Sequence, residues 1–230
     1  MKHFTFLFFL LVIHKIVAQD IRKNSSPTID PLYREDQFYI AGTFDIINNL
    51  PGEISQTSFS GGLDLGVIRD LPINKRRNLA FGIGGGYSVN VYNQNLLIQD
   101  KQSVFRVLTD EDNVLTNRIF LNIVELPIEF RWRSSTPQSY KFWRIYTGVK
   151  LGYIHRFRAK FKSETISNIT SKNPYGLDRL RLGTQIGLGW NTFNFYFHYS
   201  FKPLFNEQVQ LIGQQGGFNF LKIGLIFYIL

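Results

Sequence analysis

The chain has 230 residues, with 26 Lys and Arg against 17 Asp and Glu for a net charge of +9, a length that suits one domain. Its lack of cysteine excludes a disulfide framework, a thiol nucleophile and a lipid-modified cysteine, and past the first twenty residues no apolar run is long enough for a membrane helix. Phe 22, Tyr 11 and Gly 19 favour an all-β protein over a helical one.

Lys2 and His3, the apolar run Phe4 to Ile13, and Val17-Ala18-Gln19 predict a secretory signal peptide over 1–19. Residues 20–35 carry Asn24, Pro27 and Pro31 without a period and read as an extended periplasmic arm. From Asp36 the pattern alternates with period two. It predicts strands over 36–46, 56–68, 79–92, 118–132, 142–162, 178–190, 193–205 and 217–230. The long connections (47–55, 93–117, 163–177, 206–216) alternate with mostly shorter ones (69–78, 133–141, 191–192). Eight strands with long loops on one side and short turns on the other predict an eight-stranded antiparallel up-and-down transmembrane β-barrel over 36–230, with both termini in the periplasm.

One face of every predicted strand is greasy, for example Phe193, Phe195, Phe197, Tyr199 and Phe201. A soluble barrel would have to pack more than a dozen such side chains into a narrow lumen, so the apolar face is assigned to lipid. The polar face then lines the lumen as a charge network. It comprises Asp45, Asp64, Glu125, Glu129, Arg131, Arg144, Lys150, Arg156, Arg158, Arg179, Arg181, Lys202 and Lys222. A basic vestibule of Arg156, Arg158, Lys160 and Arg179 near the exterior end is the alternative reading, suited to an anion or a lipid phosphate. Trp132, Trp143 and Trp190 flank predicted periplasmic turns and form an interfacial belt. The final strand carries Lys222, Gly224, Phe227 and Ile229, a spacing that resembles the C-terminal insertion signal of bacterial outer-membrane barrels.

Catalytic chemistry finds little support. His198 and Ser200 share the inward face of a strand and Asp64 could face them across the lumen, but the first two are spaced too far apart for a hydrogen-bonded nucleophile pair. The four histidines are scattered, so neither a metal nor another cofactor is expected, and the export signal argues against nucleic acid as a partner. No enzymatic activity is expected.

Four stretches carry a family resemblance: Ser60-Gly61-Gly62-Leu63, Gly82 to Tyr87, Val124-Glu125-Leu126-Pro127-Ile128-Glu129, and the ending on Leu230. Over 36–230 the chain resembles the PorT-like outer-membrane β-barrel family of Bacteroidetes, and Val17-Ala18-Gln19 resembles the cleavage sites of Bacteroidetes secretory proteins in general. The resemblance implies an outer-membrane barrel and, for some members, an accessory role in type IX protein secretion, with protein partners in a secretion complex and lipid around the wall. The alternative is a stand-alone barrel that binds a ligand or anionic lipid through exterior loops and the basic vestibule.

Overall fold

The computed structural model describes residues 36–100, 105–134, 142–206, 210–211, 214–215 and 217–229. The signal peptide (1–19) and the arm (20–35) lie outside the described residues. Eight long strands follow one another around a closed sheet: β1 (Asp36–Asn48), β2 (Gly61–Pro72), β3 (Leu79–Asn93), β4 (Val114–Arg133), β5 (Trp143–Ser163), β6 (Leu180–Trp190), β7 (Phe193–Ser200) and β8 (Asn219–Ile229). Each pairs antiparallel with the next, and β8 returns to β1 with Phe38 opposite Ile229 and Asp45 opposite Lys222. Closure leaves none of these eight strands with a free edge. A short hairpin, Leu96–Ile98 with Phe105–Val107, is built inside the loop between β3 and β4.

Alternation decides which side is wet. Phe195 is 64 % exposed on the outside of β7, while Asn194 and Tyr196 beside it are buried. The same holds on β1, where Phe38 and Ile40 face out and Gln37, Tyr39 and Ala41 face in. Exposed Phe, Leu, Ile, Val and Trp continue around all eight strands. Soluble monomers rarely show contiguous apolar patches above a few hundred Å². A band that encircles the molecule requires lipid against it, so the fold is a transmembrane barrel.

The connections separate more cleanly than the sequence suggests. Strand β2 begins at Gly61 and runs to Pro72, about four residues later than expected. The predicted start at 56–60 belongs to a loop, where Gln56 reaches back to the backbone of Asp45 and Ile47. By the strand bounds, the long intervals become 49–60, 94–113, 164–179 and 201–218, and the short ones 73–78, 134–142 and 191–192. Strand β7 ends at Ser200, with Phe205 folded inward rather than continuing the wall.

Inside, β2 and β3 present a glycine wall to larger neighbours. A side chain on Gly86 would collide with the Tyr39 hydroxyl, and one on Gly66 would come within 2.6 Å of it. A Cβ on Gly82 would sit 2.6 Å from the Arg131 side chain. These glycines serve as the space that Tyr39 and Arg131 occupy. Gly86→Ala is therefore expected to cost about 1–3 kcal/mol by overpacking. Tyr39→Phe, near neutral alone because the hydroxyl has no hydrogen-bond partner, should return part of that loss. Urea unfolding of the four proteins in lipid vesicles measures the coupling; a strictly additive cycle would show that the two residues do not meet. Pro127, which lacks an N–H, lies where the β3–β4 ladder skips from Ile83–Ile128 to Gly86–Glu125.

Candidate functional site

The lumen is filled in layers. Nearest the short turns, Arg131 donates to Asp70 at 2.5 Å and to Gln37 at 3.2 Å, and lies 3.3 Å from Glu129. Its guanidinium covers the Tyr146 ring at 3.8 Å. Arg133 reaches the other oxygen of Asp70 at 3.2 Å, and Gln185 donates to Glu129 at 2.6 Å. Arg144 stacks over Phe142 at 4.5 Å.

Midway, Asp64 stands between two ammonium groups, Lys222 at 3.2 Å and Lys150 at 3.4 Å. Lys150 also donates to Glu125 at 2.8 Å and to the Tyr196 hydroxyl at 2.7 Å, while Lys222 donates to Asn90 at 2.6 Å. Asp45 is fully buried and accepts from Thr43 at 2.6 Å. Arg181 leaves this layer and caps the backbone carbonyls of Lys202 and Pro203. Lys202 and Asp178 pair at 3.1 Å in partly exposed positions, and Arg179 donates to the Ile154 carbonyl and to Asn173. The buried charges of these two layers had to come out of water, so the gain from each pair is offset by desolvation; their arrangement matters more than their number.

At the loop end the interior turns apolar, which alternation alone did not reveal. Ile47, Tyr92, Leu121, Ile123, Phe157 and Phe220 point inward from the strands and meet Ile54, Leu96, Ile98, Leu204, Phe205 and Phe218 from the loops. Tyr92 stacks on Phe220 at 4.3 Å. The barrel is thus salt-bridged below and capped by grease above.

That cap depends on a bulge in β5. Asn122 pairs with Arg156, but the next residue, Ile123, pairs with Ile154, so His155 is an extra residue. One inserted residue inverts every later side chain. Phe157, Ala159 and Phe161 turn inward and are buried, and Arg156, Arg158 and Lys160 turn outward. Arg156 and Arg158, expected in the lumen network, therefore lie on the outer wall. The expected vestibule around Arg156, Arg158, Lys160 and Arg179 is likewise an outside surface. Conversely, Asp70 and Arg133, both expected in turns, are inner-face members of the charge layer.

Trp143 and Trp190 pack edge to face at 5.1 Å, and Trp132 sits one strand over, opposite Ile145, all at the turn end on the outer face. Lys222 and Gly224 fall on the inner face of β8, and Phe227 and Ile229 on the outer face. No hydrogen bond joins His198 to Ser200 or Asp64 among the described residues.

Between the loops 49–60 and 94–113 opens a cleft of about 790 Å³. Its lining is mostly hydroxyl and amide, including Thr57, Asn95, Asn113 and Thr116, with Arg118 and Glu164 at the rim. Its walls are stitched together: Ser55 N–H donates to Asn95 at 2.7 Å, and Asn117 donates to the carbonyls of Gln94 and Leu96. Two acids anchor the loops. Arg106 forks onto Asp112 at 2.8 and 3.1 Å and, with the Thr109 N–H, lowers its pKa. Slight burial pushes the Asp100 carboxyl up, but hydrogen bonds from the Ser171 hydroxyl and the Asn173 and Lys172 amides outweigh it, and the net shift is downward. Both acids favour the folded loops above the ordinary Asp pKa of about 3.9, and that contribution is lost as pH falls through their lowered folded values. Asp100→Ala is expected to speed hydrogen exchange at the Lys172 and Asn173 amides severalfold at neutral pH. Unchanged protection would show that the carboxylate does not hold this loop.

The outer membrane protein beta-barrel domain family matches residues 18–208. One similar solved structure is Ail, the attachment invasion locus protein of Yersinia pestis, in complex with the heparin analogue sucrose octasulfate. Identity is 13%, the TM-score is 0.41, and the match covers 85% of this chain and 98% of that one. No curated protein matches. The family match spans most of the sequence and agrees with a closed barrel wrapped in apolar side chains: this chain belongs to the outer membrane protein beta-barrel domain family, and its place is the outer membrane.

Proposed function

We propose that the protein is a non-enzymatic outer-membrane barrel that acts through its outer surfaces, as an accessory or scaffold subunit of a protein-export assembly. The observation that carries this reading is the packed interior, with buried salt bridges toward the turns and an apolar cap under the loops. A lumen filled in this way leaves the wall, the loops and the turns as working surfaces. The PorT-like resemblance over 36–230 points to type IX secretion as the assembly. Copurification from native membranes with a large translocon barrel is the expected result. A deletion strain that still secretes every type IX substrate would end the reading.

Both termini are assigned to the periplasm and the long loops to the exterior. The chain has no cysteine, so single cysteines report the orientation directly. Thr57→Cys should react with a membrane-impermeant maleimide on intact cells, and Arg76→Cys only after the outer membrane is opened. The reverse pattern would invert the barrel. A second reading, a stand-alone barrel that binds a ligand through its loops, is favoured by the polar cleft at Thr57, Asn95 and Thr116. Purification as a lone monomer supports that second reading.

A further inference from the structure

The outer wall of the barrel is not uniform. Beyond the bulge at His155, β5 turns Arg156, Arg158 and Lys160 outward, and Arg118 on β4 stands directly opposite Lys160. On the loop-ward half of the other six barrel strands, the outward positions are apolar or neutral, such as Phe44, Leu63, Val91, Leu180, Tyr199 and Ile223. The cations are therefore gathered on one face. Just below them, the same two strands expose Val124, Leu126, Leu151 and Tyr153, which belong to the lipid-facing band.

Like charges opposite one another on a sheet are unfavourable unless something compensates them. Among the described residues no carboxylate lies within 4.0 Å of Arg118, Arg156, Arg158 or Lys160. Arg118 donates to Asn93 at 2.8 Å, and the Lys160 ammonium lies 5.6 Å from the Phe120 ring centroid, which leaves donors to spare. Two adjoining hollows open between these side chains. One, of about 130 Å³, lies among Phe120, Asn122, Arg156, Arg158 and Lys160. The other, of about 270 Å³, lies between Arg156, Arg158, Lys172 and Arg179.

We propose that this face of β4 and β5 is a docking site for the phosphate groups of a membrane glycolipid, with acyl chains lying along Val124, Leu151 and Tyr153 below. Guanidinium forks match phosphate oxygens, and the site stands where a lipid headgroup meets the apolar band. A strand repeat of about 6.6 Å between side chains on one face lets Arg156, Arg158 and Lys160 address more than one phosphate of the same headgroup. The proposal rests on placement in the outer membrane and on the exterior assignment of the loops made above, and is independent of any role in secretion.

The test uses the barrel folded in neutral detergent, with bis-phosphorylated lipid A as the probe and native mass spectrometry as the readout. The parent should retain this lipid at least tenfold better than its dephosphorylated form. The triple variant Arg156→Gln/Arg158→Gln/Lys160→Gln should fall to the dephosphorylated level. The turn-end variant Lys75→Gln/Arg76→Gln should match the parent. Heat-modifiable gel mobility checks folding, and Arg158→Gln alone replaces the triple variant if that one does not fold. Equal retention of both lipids, undiminished binding by the triple variant, or equal loss in the turn-end variant overturns the proposal. Inorganic phosphate bound as tightly as the lipid also overturns it, since the site would then be for a free anion.

Discussion

Asp64→Ala is expected to lower the stability of the barrel in lipid vesicles by about 3–5 kcal/mol, read as a shift in the urea midpoint. Asp64 is 1% exposed and faces two ammonium groups, Lys222 at 3.2 Å and Lys150 at 3.4 Å. Removing it leaves Lys150 with Glu125 at 2.8 Å and Lys222 with no carboxylate within 4.0 Å among the described residues, Asp45 on the neighbouring strand being farther off. Tyr196 and Asn90 can orient those ammonium groups but cannot neutralise them. The exposed pair Arg69–Asp36, at 3.6 Å, supplies the contrast. Water already screens both partners there, so Asp36→Ala should change stability by about 0–1 kcal/mol. Adding Lys222→Met to Asp64→Ala removes one stranded charge and should recover part of the loss. A cost no larger than that of Asp36→Ala would mean that the middle layer is solvated, and the packed-interior reading would fail with it.

The architecture was legible because a barrel in lipid obeys one simple rule, alternation with the apolar side out. Phe38, Leu65, Val124 and Phe195 announce that rule, and all face outward. Where the strands leave the lipid, the rule lapses. Phe157, Ala159 and Phe161 read as the wrong face under strict period two, because the single extra residue at His155 leaves no mark in composition. A signal was nonetheless present. Ile119, Leu121 and Ile123 are apolar at inward positions of β4 loop-ward of Glu125, which indicates a cap rather than a wet lumen. The late start of β2 is hidden for another reason. Ser58, Phe59 and Ser60 alternate as a strand would, but Gln56 and Ser60 are committed to loop hydrogen bonds with β1 and β3. The shift carried Asp70 from a presumed turn into the lumen. Arg133 lies one residue past the predicted end of β4 at Trp132 and so reads as part of a turn.

With Asp70 in the lumen, the Arg131 guanidinium meets Asp70, Gln37, Glu129 and the Tyr146 ring at once. Arg131→Ala is expected to cost about 3–5 kcal/mol, a loss of both ion pairing and packing. It would strip Glu129 of the cation 3.3 Å away and leave Gln185 as its hydrogen-bond partner among the described residues. Asp70 would keep Arg133 at 3.2 Å, which limits the damage on that side. Arg131→Lys separates charge from shape. An ammonium is a point charge and cannot span Asp70, Gln37 and Glu129 while lying flat on Tyr146, as the guanidinium does. Lysine should therefore restore less than roughly half of what alanine loses. Arg133→Ala should cost less than Arg131→Ala, because Arg131 still neutralises Asp70 at 2.5 Å. If Arg131→Lys unfolds at the parent's urea concentration, charge alone holds this layer, and the glycine at position 82, which leaves room for the arginine stem, loses its structural reason.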